Sequence, residues 1–134
     1  MVVTKEETEL LVQEITKIHN DIIFATQKDL PSGGEPGVRD EGGLHSLAYR
    51  ILSMIERKAD PISLGATILE DIAIRHYFWD GNKRTAYVLA KTLMLQNGLE
   101  LKPDYEKAVD FVVKVADKKA NKAEIRKWIQ ENFK

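Results

Sequence analysis

From Leu11 to Ile129 the apolar residues return every third or fourth position, segment after segment, and no segment shows sustained two-residue alternation. Such spacing predicts helices with one buried face each and argues against a sheet-built core. Thr4 and Glu7 match a capping box, and Leu11, Ile15, Ile18 and Ile22 then define a first long helix that ends before Pro31. Residues 29 to 43, "DLPSGGEPGVRDEGG", hold five glycines and two prolines and read as an irregular loop with turns or a short hairpin. Leu44, Leu47, Ala48, Ile51 and Ile55 mark a second helix closing near "RKADP". Asp60 before Pro61 suits the start of a third, lined by Gly65, Ala66, Leu69, Ile72 and Ala73, and the same spacing carries His76 onto the end of that buried stripe.

Ala86, Leu89, Ala90, Leu93 and Met94 define a fourth helix, stopped by Asn97-Gly98. Ala108, Val109, Val112 and Ala116 give a fifth, and Asn121 with Glu124 caps a sixth carrying Ile125, Trp128 and Ile129. The expectation is one all-α domain spanning residues 1–134, of about five to seven helices, with the helix pair of residues 60–98 at its centre. A chain of 134 residues is long enough for a real core.

Charge and composition narrow the function classes. With 20 Lys plus Arg against 21 Asp plus Glu, the chain lacks the basic excess of a nucleic-acid binder, so an anion would be held locally. Cysteine is absent, which removes disulfides and thiolate chemistry. No stretch approaches the roughly 20 apolar residues of a membrane span. The start, "MVVTKEETELL", does not read as a secretory signal, and a cytoplasmic protein is expected.

One stretch concentrates chemistry: "HYFWDGNKR", residues 76–84, at the junction of the two central helices. First-turn amides of a helix lack intrahelical partners and, with the helix dipole, attract anions. Gly81 allows a tight bend and close approach to a ligand, and Asn82 either caps the helix or donates to a phosphate oxygen. Lys83 and Arg84 put cations where the dipole disfavours them unless an anion compensates. Asp80 is an oxygen ligand suited to Mg2+ bridging phosphates, and His76 is a base able to take a proton from an attacking hydroxyl.

Taken singly, each has a structural explanation: a core histidine, an ordinary turn and cap, a solvated basic face. Phe78 and Trp79 are read as core or rim packing. It is the conjunction at one helix junction that points to phosphoryl or nucleotidyl transfer, which depends mainly on positioning and charge neutralisation. His19 and His45 are assigned to packing and surface, and no grouping suggests a zinc site.

These nine residues resemble the signature of the Fic/Doc family, His-x-Phe-x-Asp/Glu-Gly-Asn-Gly/Lys-Arg, with His76, Phe78, Asp80, Gly81, Asn82, Lys83 and Arg84 all matching. The segment "GGEPGVRDEGGLHSLAYR" resembles the one preceding the core helices in the Doc branch, and the likeness runs from about His19 to the carboxyl terminus. The resemblance implies a compact Fic-fold helical domain with His76 as catalytic base, Asp80 as Mg2+ ligand and Phe78 as buried anchor of the active loop. It further implies that Gly81, Asn82, Lys83 and Arg84 hold the phosphates of ATP.

Adenylyl-transferring members usually carry glycine where Lys83 stands and a second arginine where this chain has Tyr87. Both departures resemble the Doc, or death-on-curing, branch. That branch implies transfer of the terminal phosphoryl group of ATP to a Ser/Thr hydroxyl of a cytoplasmic protein such as elongation factor Tu, held in check by a separate antitoxin. The family's self-inhibitory motif, Ser/Thr-x-x-x-Glu-Gly/Asn, is not found in the chain. AMPylation of a protein and a catalytically silent, partner-gripping helical module are the alternatives. Residues 32–43 fall in the segment resembling the family's target-positioning flap, with Arg39 and Asp40 as candidates; a plain connector fits that stretch equally well.

Overall fold

A computed structural model describes residues 3–26 and 37–134. Its described part contains six helices and no strand: α1 (Lys5–Thr26), α2 (Glu41–Glu56), α3 (Pro61–Arg75), α4 (Asn82–Gln96), α5 (Tyr105–Ala116) and α6 (Lys122–Asn132). The helix starts lie where local chemistry puts them. Thr4 and Glu7 close a reciprocal box, with Glu7 N–H donating to Thr4 Oγ1 at 3.1 Å and Thr4 N–H to Glu7 Oε1 at 3.0 Å. Asn121 and Glu124 repeat it on α6, and Asp60 accepts from Ser63 N–H at 2.9 Å with Pro61 opening α3.

The central pair is α3 and α4, which pack on each other more extensively than any other two helices; α5 and α6 lie against α3, and α1 spans α2 and α4. Gly65 permits the close approach of α3 to α4, since a Cβ there would stand 2.8 Å from Met94 Sδ. Ile15, Leu44, Leu47, Ile51, Ile68, Ile72, Met94, Ile125 and Ile129 are fully buried between these helices. Burying side chains of this kind contributes about 1.5–3 kcal/mol each. No helix among the described residues is long and apolar enough to cross a membrane.

Three expectations are corrected. The irregular loop does not extend to residue 43: Glu41, Gly42 and Gly43 form the first turn of α2, because the Asp40 carboxylate accepts from Gly43 N–H at 2.9 Å. The inward stripe of α2 ends on Met54, and Ile55 is 48% exposed, because both lie within a turn of Ile51 and only the packing register chooses between them. His76 does not finish the buried stripe of α3. The helix stops at Arg75, and His76 takes the left-handed conformation (φ 54°, ψ 57°), which turns its side chain outward while Tyr77 and Phe78 enter the core. The short hairpin expected within residues 29–43 falls largely outside the described residues, as do residues 32–36 of the flap segment.

Gly43 has no room for a side chain. A Cβ would sit 2.7 Å from Tyr77 Cε1, besides meeting the capping carboxylate of Asp40. Gly43→Ala is expected to lower stability by about 1–3 kcal/mol, measured by urea unfolding, as overpacking does elsewhere.

Candidate active site

The nine-residue stretch forms the residue that caps α3, a loop and the start of α4. Its loop is closed by Asn82: Phe78 N–H donates to Asn82 Oδ1 at 3.0 Å, and Asn82 Nδ2 donates to Phe78 O at 2.8 Å. The Asn82 side chain therefore ties the loop across its own neck. Gly81 sits in the left-handed region (φ 78°), and Thr85 N–H donates to Gly81 O at 2.9 Å, so the turn delivers the chain straight into α4. No side chain caps α4. The amides of Asn82, Lys83 and Arg84 in its first turn precede the first helical bond and lack intrahelical partners, the kind of donor set that binds phosphate at helix starts. Lys83 is exposed and Arg84 half-buried beside them.

Phe78 is wholly buried, and its ring lies parallel to that of His19 on α1, with centroids 3.8 Å apart and planes 9° from parallel. His19 is also fully buried, and its Nε2 lies 2.7 Å from the carbonyl oxygen of Asp80. A carbonyl only accepts, so Nε2 carries the proton and donates. Burial pushes the imidazole below its usual range, leaving the ring neutral. Asp80 itself is buried at the loop's far end, whereas Trp79 is 52% exposed on the rim.

The other side of the loop is held by residues 38–40. Val38 bridges Phe78 in antiparallel fashion, and both Arg39 N–H and Asp40 N–H donate to Tyr77 O, at 2.7 and 3.1 Å. The Arg39 guanidinium donates to His76 O at 3.2 Å and lies 5.7 Å over the Trp79 ring. Tyr77 donates its hydroxyl to Asp71, whose carboxylate also faces Arg75 Nε at 3.3 Å and Arg50 Nη1 at 3.6 Å. Burial, then the neighbouring carboxylate, raises the Tyr77 hydroxyl well above the ordinary phenol range, so it stays protonated as a donor. These ties fix the backbone on both sides of His76 while its imidazole faces solvent.

His76, Asp80, Gly81, Asn82, Lys83 and Arg84 thus share one loop and helix start, with Phe78 below them. Asp40 acts as the α2 cap, and His45 stays on the surface, where its Nδ1 lies 2.9 Å from Glu41 O. The sequence marks His19 as buried, because it falls four residues after Ile15 on the inward stripe of α1, but nothing local to it announces its contact with Asp80, 61 residues away. The same holds for Tyr77 and Asp71.

Among the described residues no three His, Cys, Asp or Glu side chains converge as a metal cage. A single buried carboxylate, Asp80, beside an uncapped helix start nevertheless fits Mg2+, which commonly takes one or two protein carboxylates and completes its shell with phosphate oxygens and water.

With that geometry in view, the family model described as the Fic/DOC family matches residues 9–94. The chain belongs to the Fic/DOC family. The match runs from the first helix through the loop to the end of the central pair, so the Fic/DOC segment includes His19 as well as the nine-residue motif. The chain is also 32% identical over 96 residues to "Toxin Doc" of Mycolicibacterium smegmatis (strain ATCC 700084 / mc(2)155), a stretch covering 68% of this chain and 74% of that protein.

Proposed function

We propose that this Fic/DOC protein is a Doc-like toxin that transfers the terminal phosphoryl group of ATP to a Ser/Thr hydroxyl of a cytoplasmic protein, a translation factor such as elongation factor Tu. What supports this reading above all is the solvent-facing imidazole of His76 on the loop that leads into the uncapped start of α4. His76 accepts the proton of the target hydroxyl. The oxygen of that Ser/Thr hydroxyl bonds to the terminal phosphorus as the bridging oxygen departs with ADP and the bonding electron pair. The first-turn amides of α4, with Lys83 and Arg84, neutralise the phosphate oxygens, and Asn82 keeps the loop closed around them. Mg2+, held by Asp80, would supply charge neutralisation between the phosphates.

Lys83 in place of the glycine of adenylyl-transferring relatives, and Tyr87 in place of their second arginine, favour phosphoryl over adenylyl transfer. A separate antitoxin belongs to the same proposal. Beside Arg84, a groove of about 320 Å³ between α1 and α4, lined by Ile18, Ile22, Ala25, Tyr87, Val88 and Tyr105, would offer a partner helix an apolar seat.

Incubation with cell extract, Mg2+ and ATP labelled on the terminal or the alpha phosphorus tests the reaction. Terminal label on a protein supports the kinase reading; alpha label on a protein replaces it with AMPylation. No transfer of either, in wild type and His76→Ala alike, leaves a partner-binding module. Asp80→Ala is expected to cut transfer at least about tenfold and weaken Mg2+ dependence, while chelation of Mg2+ abolishes transfer by the wild type.

A further inference from the structure

We infer that His19 is a positioning residue for the phosphate-binding loop, acting through the Asp80–Gly81 peptide; the inference rests on the phosphate-binding reading of that loop. The carbonyl of Asp80 turns inward, towards α1, where the His19 Nε2 proton meets it at 2.7 Å. No cis peptide occurs among the described residues, and a trans peptide points its carbonyl and its N–H in opposite directions. Pinning Asp80 O inward therefore aims Gly81 N–H away from His19, at the residue directly before the first turn of α4. One buried donor thus adds a backbone amide to those at the helix start and fixes the backbone that carries the Asp80 carboxylate.

Packing alone does not account for a histidine here. The ring lies flat on Phe78, which a phenyl group would do equally well and without burying polar nitrogens. What a phenyl group cannot provide is the donor to Asp80 O. The position is also crowded from the loop side: a Cβ on Gly81 would stand 3.7 Å from the His19 ring and 3.2 Å from Ile23. The contact joins α1 to the loop across 61 residues of sequence, so α1 acts as the loop's template.

The test compares His19→Phe, which keeps the ring and loses the donor, with His19→Gln, which keeps a donor and loses the ring. Both are made in the full chain. Three readouts are taken: thermal midpoint, hydrogen exchange of the amides of residues 78–85, and binding of ATP with Mg2+ by calorimetry. The expected result is a loss of affinity and of loop protection of about tenfold or more in His19→Phe, out of proportion to any change in midpoint, with partial recovery in His19→Gln. A folded His19→Phe with wild-type loop protection and nucleotide affinity overturns the proposal. If His19→Phe does not fold, His19→Gln decides: wild-type protection and affinity support the donor role, and loss of both despite the retained donor overturns it. If the wild type binds no nucleotide, the loop's phosphate-binding role fails, whereas the exchange data still decide whether His19 orders the loop.

Discussion

His76→Ala is expected to reduce transfer by about 10²–10⁴-fold, the usual contribution of a positioned general base. Its thermal midpoint should stay within a few degrees of wild type. The imidazole is exposed, and its backbone is held by contacts that the side chain does not make: Arg39 on His76 O, and two amides on the neighbouring Tyr77 O. Alanine keeps the left-handed conformation at the same backbone cost of roughly 1–2 kcal/mol that histidine already carries. His76→Gly sharpens the test. Glycine relieves that cost, so this variant should be as stable as wild type or more so while being just as inactive. Phosphoryl transfer assays and thermal melts on the two variants check this, and relief of growth arrest by His76→Ala gives the same answer in cells. Full transfer by His76→Ala removes the base from the mechanism.

Phe78→Ala is expected to act through the fold. Phe78 is 0% exposed, stacked on His19 and bridged to Val38, at the point where α1, α2 and the loop meet. Truncating a buried phenylalanine costs about 3–5 kcal/mol, and in a chain of this length that lowers the thermal midpoint by roughly 10–20 °C. Transfer should fall even at temperatures where the variant stays folded, because the cavity opens against the His19 ring that holds the Asp80 carbonyl. His76→Ala and Phe78→Ala thus separate two ways of losing one activity: the first loses the base and keeps the fold, the second loses the support on which the loop rests. Urea unfolding alongside single-turnover assays tells them apart, and a Phe78→Ala midpoint within a few degrees of wild type refutes the anchoring role.

Helix identity was legible in the sequence because it depends on near neighbours. The capping pairs Thr4–Glu7 and Asn121–Glu124, the Asp60-Pro61 start and the 3–4 spacing of apolar residues act over a single turn, and each reappears in the structure. The nine-residue motif was legible for the same reason: its groups are contiguous, and the loop closes on itself through Phe78 and Asn82, four residues apart. Where sequence spacing failed, the deciding contact was distant. Asp40 and Tyr77 drew Gly43 into α2, and the register of the whole core chose Met54 over Ile55.

By itself, then, the sequence determined that the chain is helical and that one contiguous motif joins its central helices, since local hydrogen bonding and amphipathic spacing suffice for both. Only the tertiary structure decided which way that junction faces. The left-handed turn at His76 sends the imidazole out and Tyr77 and Phe78 in, and the His19 ring from α1 meets Phe78 and the Asp80 carbonyl from below. The direction of a loop side chain is fixed by what occupies the space behind it, and here that space is filled by residues 38–40 and 19, which only the packing of α1 and α2 brings to the loop.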